Sequence, residues 1–466
     1  MGRFTEESKQ RVRDATDLVE LAGQYTQLRR AGNDRMSGRC PLHDERTPSF
    51  TVTPSKQLFK CFGCDAGGDA LSLVQLKEGL DFPAALEFLA RRAGIELQRE
   101  DDDPRLQARR ARRARALVPL DRAAAFYAAH LRSPRSAEAV QAGKYLASRG
   151  VNDAVREQFA IGFAPTERTA LLCAAESAGF LEKELSEVGL VSRPRGGGPL
   201  QDRFRGRLMF PVWDMRGRVL GFGARKLDSG RGPKYVNSPA GAIYHKSELL
   251  YGEHHARAAA ANAGVVIVVE GYIDALAMHQ AGIVNTVALM GTAASEQQIA
   301  MLKRLAPTVV LMLDGDDAGA QAILRAGALA RPAGLEVLVA SLPAESDPAV
   351  QQQGGDVVRE LVAAAFAFAR FRVLHHVERA DVSSAEGKDR LLSELRDVFA
   401  DIPSSAVRED LIAVVAAHLA LQPALVCSWM PTPAASAGDR PTSLTTRPHP
   451  AQRPGTLIWP SATVCR

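Results

Sequence analysis

Three cysteines and one histidine constrain the first part of this chain more than any other feature. Cys40-Pro41-Leu42-His43 is followed, after seventeen intervening residues, by Cys61-Phe62-Gly63-Cys64. Zinc prefers four soft or borderline ligands at the corners of a tetrahedron. Two pairs, each separated by two residues, let two tight turns meet on one ion. The protein fills all four positions, so the zinc is expected to be structural rather than catalytic. Reduced core cysteines beside a stray histidine would not be expected to produce two such pairs. Around the ligands stand Arg39, Arg46, Phe50, Lys56, Phe59, Lys60 and Phe62. Basic and aromatic groups interleaved on a small sheet suit single-stranded nucleic acid, through phosphate charge and base stacking. Phe59 and Phe62 would serve equally well as a minimal core around the metal.

The other general properties are permissive. Six cysteines, three of them at this one site, favour metal over disulfides and a reducing, cytoplasmic compartment. The charged start MGRFTEESKQRVRD has no apolar signal region. No apolar run is long enough for a membrane span; the best, 411–426, contains His418, Gln422 and Pro423 and reads as a core helix. A length of 466 residues, 46% of them hydrophobic, suggests about three folded domains. The net charge of +5 permits a polyanionic partner without establishing one.

Periodicity divides the chain. A helix is expected over 6–29, β-prone pieces at 49–53 and 57–61, and amphipathic helices at 70–77 and 83–93. An acidic break, Glu100 to Asp103, then runs into the arginine-dense segment 109–115, which reads as a solvated linker or exposed helix rather than a DNA-contacting stripe. Residues 117–190 are helical in pattern. The runs 208–213 and 219–225 flank a turn and suggest a hairpin. From 264 onward the aliphatic runs 265–269, 286–290, 308–313 and 336–341 alternate with helices, which argues for a parallel sheet covered by helices. Residues 350–426 are again helical, and the Pro-, Ser- and Thr-containing end reads as a disordered tail. The expected fold is a multidomain α/β chain: a small zinc-ribbon-like β domain at 1–99, a charged linker at 100–116, a mixed α+β subdomain at 117–258, a parallel-sheet α/β subdomain at 259–345, a helical subdomain at 346–426 and a tail at 427–466.

The second chemical constellation is acidic. The run 265–269 ends at Glu270-Gly271-Tyr272-Ile273-Asp274, so the strand delivers Glu270 to the carboxyl edge of the sheet, where ligand sites of α/β folds lie. Asp274 follows one helical turn later. The run 308–313 ends at Asp314-Gly315-Asp316-Asp317, whose alternate carboxylates Asp314 and Asp316 can converge on a hard cation. A third strand ends near Asp347. Magnesium held by a few carboxylates and completed by water and phosphate is the chemistry these acids suit. Loops of this kind also use acids as helix caps, but clustered acids at three strand ends exceed that need. No G-x-x-x-x-G-K-[ST] occurs, so a P-loop ATPase is not supported. Ahead of the acids lies a basic segment: Arg203-Phe204-Arg205-Gly206-Arg207, then Arg225, then Lys234-Tyr235-Val236-Asn237, then Lys246. Basic residues spaced among glycines and aromatics suit a groove for template and triphosphate.

Read together, CPLHDERTPSF, KCFGCDAGGDAL, YLASRG, DRFRGRLMFPV, GFGAR, KYVNSP, YHKSELLYG, VVEGYIDALA, MGTA and LDGDDAG make the chain resemble the bacterial DnaG-type primases, almost end to end through about residue 426. The resemblance implies a CHC2-type zinc domain that holds single-stranded DNA template, and a Toprim catalytic core that joins ribonucleoside triphosphates into a short RNA primer. It implies that Glu270 is the essential catalytic acid, as metal ligand or proton shuttle. Asp314, Asp316 and Asp347 would then be magnesium (or manganese) ligands, with Asp274 in support. Arg149, Arg203, Arg205, Arg225, Lys234, Asn237 and Lys246 would line the catalytic groove. In such chemistry a 3′-hydroxyl attacks an α-phosphate while two metals stabilise the attacking and leaving oxygens. A monomer is expected.

Two departures stand out. Family members carry a further acid two residues after the position of Asp347, where this chain has Ala349, so fewer or weaker metals are expected there. Family members also continue into a domain that docks the replicative helicase; here the Pro-rich tail stands instead, and helicase stimulation is expected to be reduced or absent. Two other functions compete: a catalytically impaired single-stranded DNA-binding relative, and a different Toprim enzyme such as a topoisomerase. The zinc module and the RFRGR-to-YHK block argue against the latter.

Overall fold

The computed structural model describes residues 4–98, 104–194, 196–227, 232–291, 294–340 and 354–432. These fall into two compact units, one within 1–337 and 342–358, the other within 338–341 and 359–466.

The first unit opens with α1 (Glu6–Asp14) and α2 (Leu18–Gly23). The single helix expected over 6–29 is broken because Asp17 accepts hydrogen bonds from the Val19 and Glu20 N–H groups, capping a new helix instead of continuing the old one. An antiparallel sheet follows in the order β1 (Arg29–Gly32), β2 (Arg35–Gly38), β3 (Phe50–Thr53), β4 (Leu58–Cys61), β5 (Gly67–Gly68). The expected strands are β3 and β4. The arginine- and glycine-rich β1 is exposed along its whole length, so it carries no alternating pattern to read. Helices α3 (Ala70–Glu78) and α4 (Phe82–Arg92) bury Leu71, Leu73, Val74, Leu86 and Leu89 against Phe50, Val52 and Phe59. The two phenylalanine readings therefore separate. Phe59 is core, stacked on Phe50 at 5.3 Å, whereas Phe62 is 70% exposed.

Where a charged linker was expected, the chain from Pro104 is already helical: α5 (Pro104–Arg132) runs unbroken into the next subdomain. Two of its arginines are fixed to α9 (Glu182–Glu187), Arg112 to Glu187 at 2.9 Å and Arg115 to Glu184. Residues 111–115 are exposed, so the segment is the exposed helix that was the other reading of it, and the charges that anchor it to its neighbour argue against the nucleic-acid stripe. Between α5 and α9 lie α6 (Ala137–Ser148), α7 (Asp153–Gln158), the short β6 (Gly162–Ala164) and α8 (Ala170–Ser177). After a small ladder of β7 (Val191–Ser192) and β8 (Gln201–Asp202), the expected hairpin forms from β9 (Arg207–Trp213) and β10 (Val219–Lys226). With β11 (Tyr235–Asn237) they make a four-stranded sheet in the order β11-β10-β9-β6. Gly162 brings β6 against α5, where any side chain would strike the Tyr127 backbone.

Helix α10 (Glu253–Ala263) leads through Gly264, at φ +66°, into the parallel layer. Here β12 (Val265–Val269), α11 (Tyr272–Gln280), β13 (Thr286–Ala288), α12 (Glu296–Leu305), β14 (Thr308–Leu311), α13 (Asp317–Ala330) and β15 (Glu336–Val339) alternate as the aliphatic runs predict. The central strand β12 pairs in parallel with β13 (Ile267 opposite Thr286) and with β14 (Val265 opposite Thr308). Val266 to Val268 are fully buried between the helices, as a continuous aliphatic run in a parallel sheet requires.

In the chain that follows, α14 (Gly354–Ala363) precedes β16 (Phe366–Ala367). In the second unit β16 pairs antiparallel with Leu338 and Val339, ahead of α15 (Phe368–Arg379), α16 (Ala385–Ala400), α17 (Ala406–Leu419) and α18 (Pro423–Trp429). Its core includes Val373, Leu395, Phe399, Leu411, Val415 and Val426. The buried Arg408 donates to the Phe399 and Pro431 carbonyls, each at 2.5 Å, and to the Ile402 carbonyl at 3.0 Å, and so ties the end of α16 to the chain after α18. Among the described residues no single helix is long and apolar enough to cross a membrane. The expected tail beyond 432, the third acidic arm with Asp347 and Ala349, and Thr292-Ala293 of the MGTA motif lie outside the described residues.

Candidate active site and zinc centre

Cys40, at the end of the β2 connection, His43, Cys61 at the end of β4, and Cys64 bring their ligand atoms within 4.8 Å of one another. Cys40 Sγ and Cys64 Sγ are 4.0 Å apart, and Cys61 Sγ lies 3.9 Å from His43 Nδ1. The edge of a tetrahedron with Zn–S bonds of about 2.3 Å is about 3.8 Å, so the donor set has the dimensions of one zinc ion. The surroundings also suit a metal. His43 Nε2 faces Glu45 Oε2 at 3.3 Å, which leaves Nδ1 for the ion and fixes the ring. Glu45 also accepts from the Cys40 and Ser49 N–H groups. Backbone N–H groups of Leu42 and Gly63 point at Cys40 Sγ and Cys61 Sγ, both at 3.4 Å. Burial pushes the Cys40 thiol upward. Cys61, despite burial, is drawn down by the hydrogen bonds from Ser49, Cys64 and Gly63. Binding zinc would release the remaining thiol protons.

The second site is a cavity of about 370 Å³ at the carboxyl edge of β12 and β14. Its walls include Glu270, Asp274 and Asp314 from the parallel layer, Arg149 from the end of α6, Arg225 from β10, Lys234 and Asn237 around β11, and Lys246. Eight of the residues expected at the site are thus brought to one space from six separate stretches of chain. Three others are placed differently. Asp316 caps α13, accepting from the Gly319 N–H at 2.7 Å, and does not line the cavity. Arg203 and Arg205 also lie outside the lining; Arg205 donates to the Asp202 carbonyl, and burial lowers the pKa of Arg203. The Asp202 side chain itself caps α8 through the Leu171 and Leu172 N–H groups.

Local sequence explains the edge geometry. Asp274 accepts from the Gly271 N–H at 3.0 Å, closing the first turn of α11 directly after Glu270. Gly319 lets α13 fold back on its loop, because a Cβ there would collide with the Asp314 carbonyl. Gly291 leaves room for Lys246, whose Nζ would lie 2.9 Å from any Cβ added there. Among the described residues only the cysteine–histidine set brings three or more ligand atoms into a tight cluster. The carboxylates do not form a finished cage. A few hard oxygen donors beside cations suit magnesium that arrives with phosphate oxygens and keeps water.

Of the aromatic part of this wall, Tyr235 stands in the basic and aromatic segment read as a groove, whereas Tyr145 and Tyr272 were not anticipated. Tyr145, Tyr235 and Tyr272 line the cavity. Tyr272 donates to Asn237 Oδ1 at 2.7 Å and stacks on Phe210 at 4.9 Å. The Arg225 guanidinium lies 4.7 Å from the Tyr145 ring and 5.2 Å from the Tyr235 ring. These tyrosines stand inside YLASRG, KYVNSP and VVEGYIDALA, beside the charged positions that drew attention. An aromatic residue in such a motif is by default core, and no spacing marks Tyr145 and Tyr272 as cavity wall.

A four-ligand zinc set joined to strand-edge carboxylates and a cationic wall has the makeup that suits nucleotide phosphates and nucleic acid. Comparison with known proteins narrows this reading. Residues 4–105 match the CHC2 zinc finger model, 126–257 the N-terminal domain of the DNA primase catalytic core, and 267–351 the Toprim-like model. A DNA primase of Streptomyces coelicolor is 38% identical over 428 residues, 90% of this chain and 66% of that protein. The Aquifex aeolicus primase structure comprising zinc-binding and RNA polymerase domains superposes with a TM-score of 0.56 at 30% identity, covering 90% of this chain and 99% of that one. A DnaG primase catalytic domain bound to single-stranded DNA gives a TM-score of 0.56 at 32% identity, covering 68% of this chain and 99% of that one. The chain belongs to the DnaG-type DNA primase family, and it spans about two thirds of the length of the Streptomyces relative.

Proposed function

We propose that the chain is a DNA-directed RNA polymerase that makes short RNA primers de novo on single-stranded DNA. The observation that carries this reading is the single cavity in which Glu270 and Asp314 face Arg149, Arg225, Lys234 and Lys246. Four cations around a small acidic edge match a ribonucleoside triphosphate, whose charge the cations neutralise and whose position they fix. Asn237, held by Tyr272, offers a polar group of fixed orientation. Glu270 stands at the reacting edge as metal ligand or as acceptor of the 3′-hydroxyl proton; the new bond forms at the α-phosphate and pyrophosphate leaves. Magnesium, when bound by Glu270, Asp314, Asp316 and Asp347, supplies charge stabilisation of the phosphate oxygens. The zinc module holds template, with Phe62 free to stack on a base and Lys60 and Arg39 near backbone phosphates. A zinc site of three thiolates suits a reducing compartment, so we place the protein in the cytoplasm, acting as a monomer.

The test is a gel of products from labelled ribonucleoside triphosphates, magnesium and random-sequence single-stranded DNA. The intact protein should make short RNA, and Glu270→Gln should make at least about a hundredfold less. Template binding without incorporation by the intact protein would reject the assignment in favour of an impaired DNA-binding relative, a reading that Ala349 keeps in view.

A further inference from the structure

One ring in the cavity carries two cations. Tyr145 sits on α6, and Arg149, the C-cap of that helix, is four residues on, so both lie on one helix face. The Arg149 guanidinium carbon lies 5.6 Å from the centre of the Tyr145 ring, and the Arg225 guanidinium carbon, reaching in from β10, lies 4.7 Å from it. Both distances fall within the range of cation–π attraction. Two guanidinium groups so close would otherwise repel each other, and each is a long side chain with much rotamer freedom to lose. Arg225 is further held by the Tyr235 ring and by a hydrogen bond to the Tyr235 hydroxyl. Holding Arg225 by its face leaves its Nε edge for something else. The buried Arg225 Nε has no hydrogen-bond partner, and neither does the buried Tyr145 hydroxyl.

We infer that Tyr145 is a positioning residue: its ring sets Arg149 and Arg225 together as a two-arginine clamp for the phosphate tail of the incoming nucleotide. This rests on reading the cavity as the nucleotide site. The role belongs to the ring and not to the hydroxyl. Phenylalanine should therefore replace Tyr145, and an aliphatic residue of similar reach should not. Tyr145 is only half-buried, so neither change removes core packing.

The experiment measures equilibrium binding of ATP with magnesium to the full chain, with primer synthesis and thermal unfolding followed in parallel. Tyr145→Phe should bind within about twofold of the unmodified protein. Tyr145→Leu should bind about tenfold more weakly, as expected from two partly desolvated cation–π contacts, and should show a raised KM for nucleotide with a smaller change in kcat. In an Arg225→Ala background the leucine penalty should fall to about threefold, because only the Arg149 contact is then left to lose. Equal binding by Tyr145→Leu and the unmodified protein overturns the inference, and so does a leucine penalty that persists in full without Arg225. A phenylalanine variant as weak as the leucine variant also overturns it, since the hydroxyl would then be the working group. Failure of the unmodified protein to bind ATP at all would reject the nucleotide-site reading itself, a result distinct from the other three.

Discussion

Glu253, the first residue of α10, is 2% exposed, and its Oε1 has no hydrogen-bond partner. Burial pushes its carboxyl from the ordinary 4.5 up to about 7; Arg304 and Arg257 pull it back only in part, and Asp214 adds to the rise. Below pH 4.5 the group is protonated in both the folded and unfolded chain and costs nothing. Between 4.5 and 7 the unfolded chain releases the proton while the folded chain keeps it, so stability falls as pH rises. Above 7 the loss is complete. At about 1.4 kcal/mol per pH decade the penalty is about 3 kcal/mol. Glu253→Gln has the same shape and cannot ionise. Its buried amide leaves a donor unpaired at a cost of about 1 kcal/mol, so the variant should be about 2 kcal/mol more stable than the unmodified protein at pH 8. At pH 4.5 it should be equal or slightly less stable.

The measurement is urea unfolding of both proteins from pH 4.5 to 8.5 with zinc held constant, plotted as the difference between them. Two neighbours titrate in the opposite sense. Burial draws His255 down to about 3, and His279 to about 4, so each loses stability as pH falls below 6.5. Both proteins share those losses, and they cancel in the difference. A difference that is flat with pH, or a variant less stable than the unmodified protein at pH 8, would refute the reasoning.

The zinc reading predicts about one zinc per chain by metal analysis, and Cys40→Ser should lose it and expose residues 4–98 to protease while far-UV signal from the catalytic subdomains persists. Gly319→Ala should lower both stability and primer synthesis, by roughly 1–3 kcal/mol in unfolding assays, because the added methyl displaces the Asp314 backbone. Asp316 separates two roles: Asp316→Asn should keep the α13 cap and unfold within about 0.5 kcal/mol of the unmodified protein, whereas Asp316→Ala should cost about 1 kcal/mol. Both should lose primer synthesis if the carboxylate also serves the metal, measured on the same template.

The parallel layer was legible because its strands are uninterrupted aliphatic runs closed by glycine and acid, a pattern that burial on both faces imposes on a strand such as Val265–Val269. The zinc site was legible because metal geometry acts through fixed local spacing. The strands that escaped notice lack such a signature. Arg29–Gly32 has no apolar alternation because it is exposed throughout, and Gly162–Ala164 is three residues long and held by its neighbours. The charged segment after Pro104 looked like a linker because its helix is secured by long-range pairs, such as Arg112 with Glu187, which no local window contains. Tyr145 escaped for the same reason. It and Arg225 are eighty residues apart in sequence and meet only in the folded chain.

The acids at the sheet edge show why helix capping and catalysis are poor alternatives for a carboxylate in such a place. Asp274 caps α11 through the Gly271 N–H, and Asp316 caps α13 through the Gly319 N–H. Each cap engages one carboxylate oxygen, and a carboxylate has two, each able to accept more than one bond. Capping spends little of that capacity and removes most of the rotamer freedom that a metal or phosphate would otherwise have to restrain. The same loops place Glu270, one residue before the α11 N-cap, and Asp314, two residues before that of α13, in the cavity wall. A strand that ends in an acid, a glycine and a capping acid therefore builds its helix and its ligand edge in one step, and the cap becomes the device that holds the edge in shape.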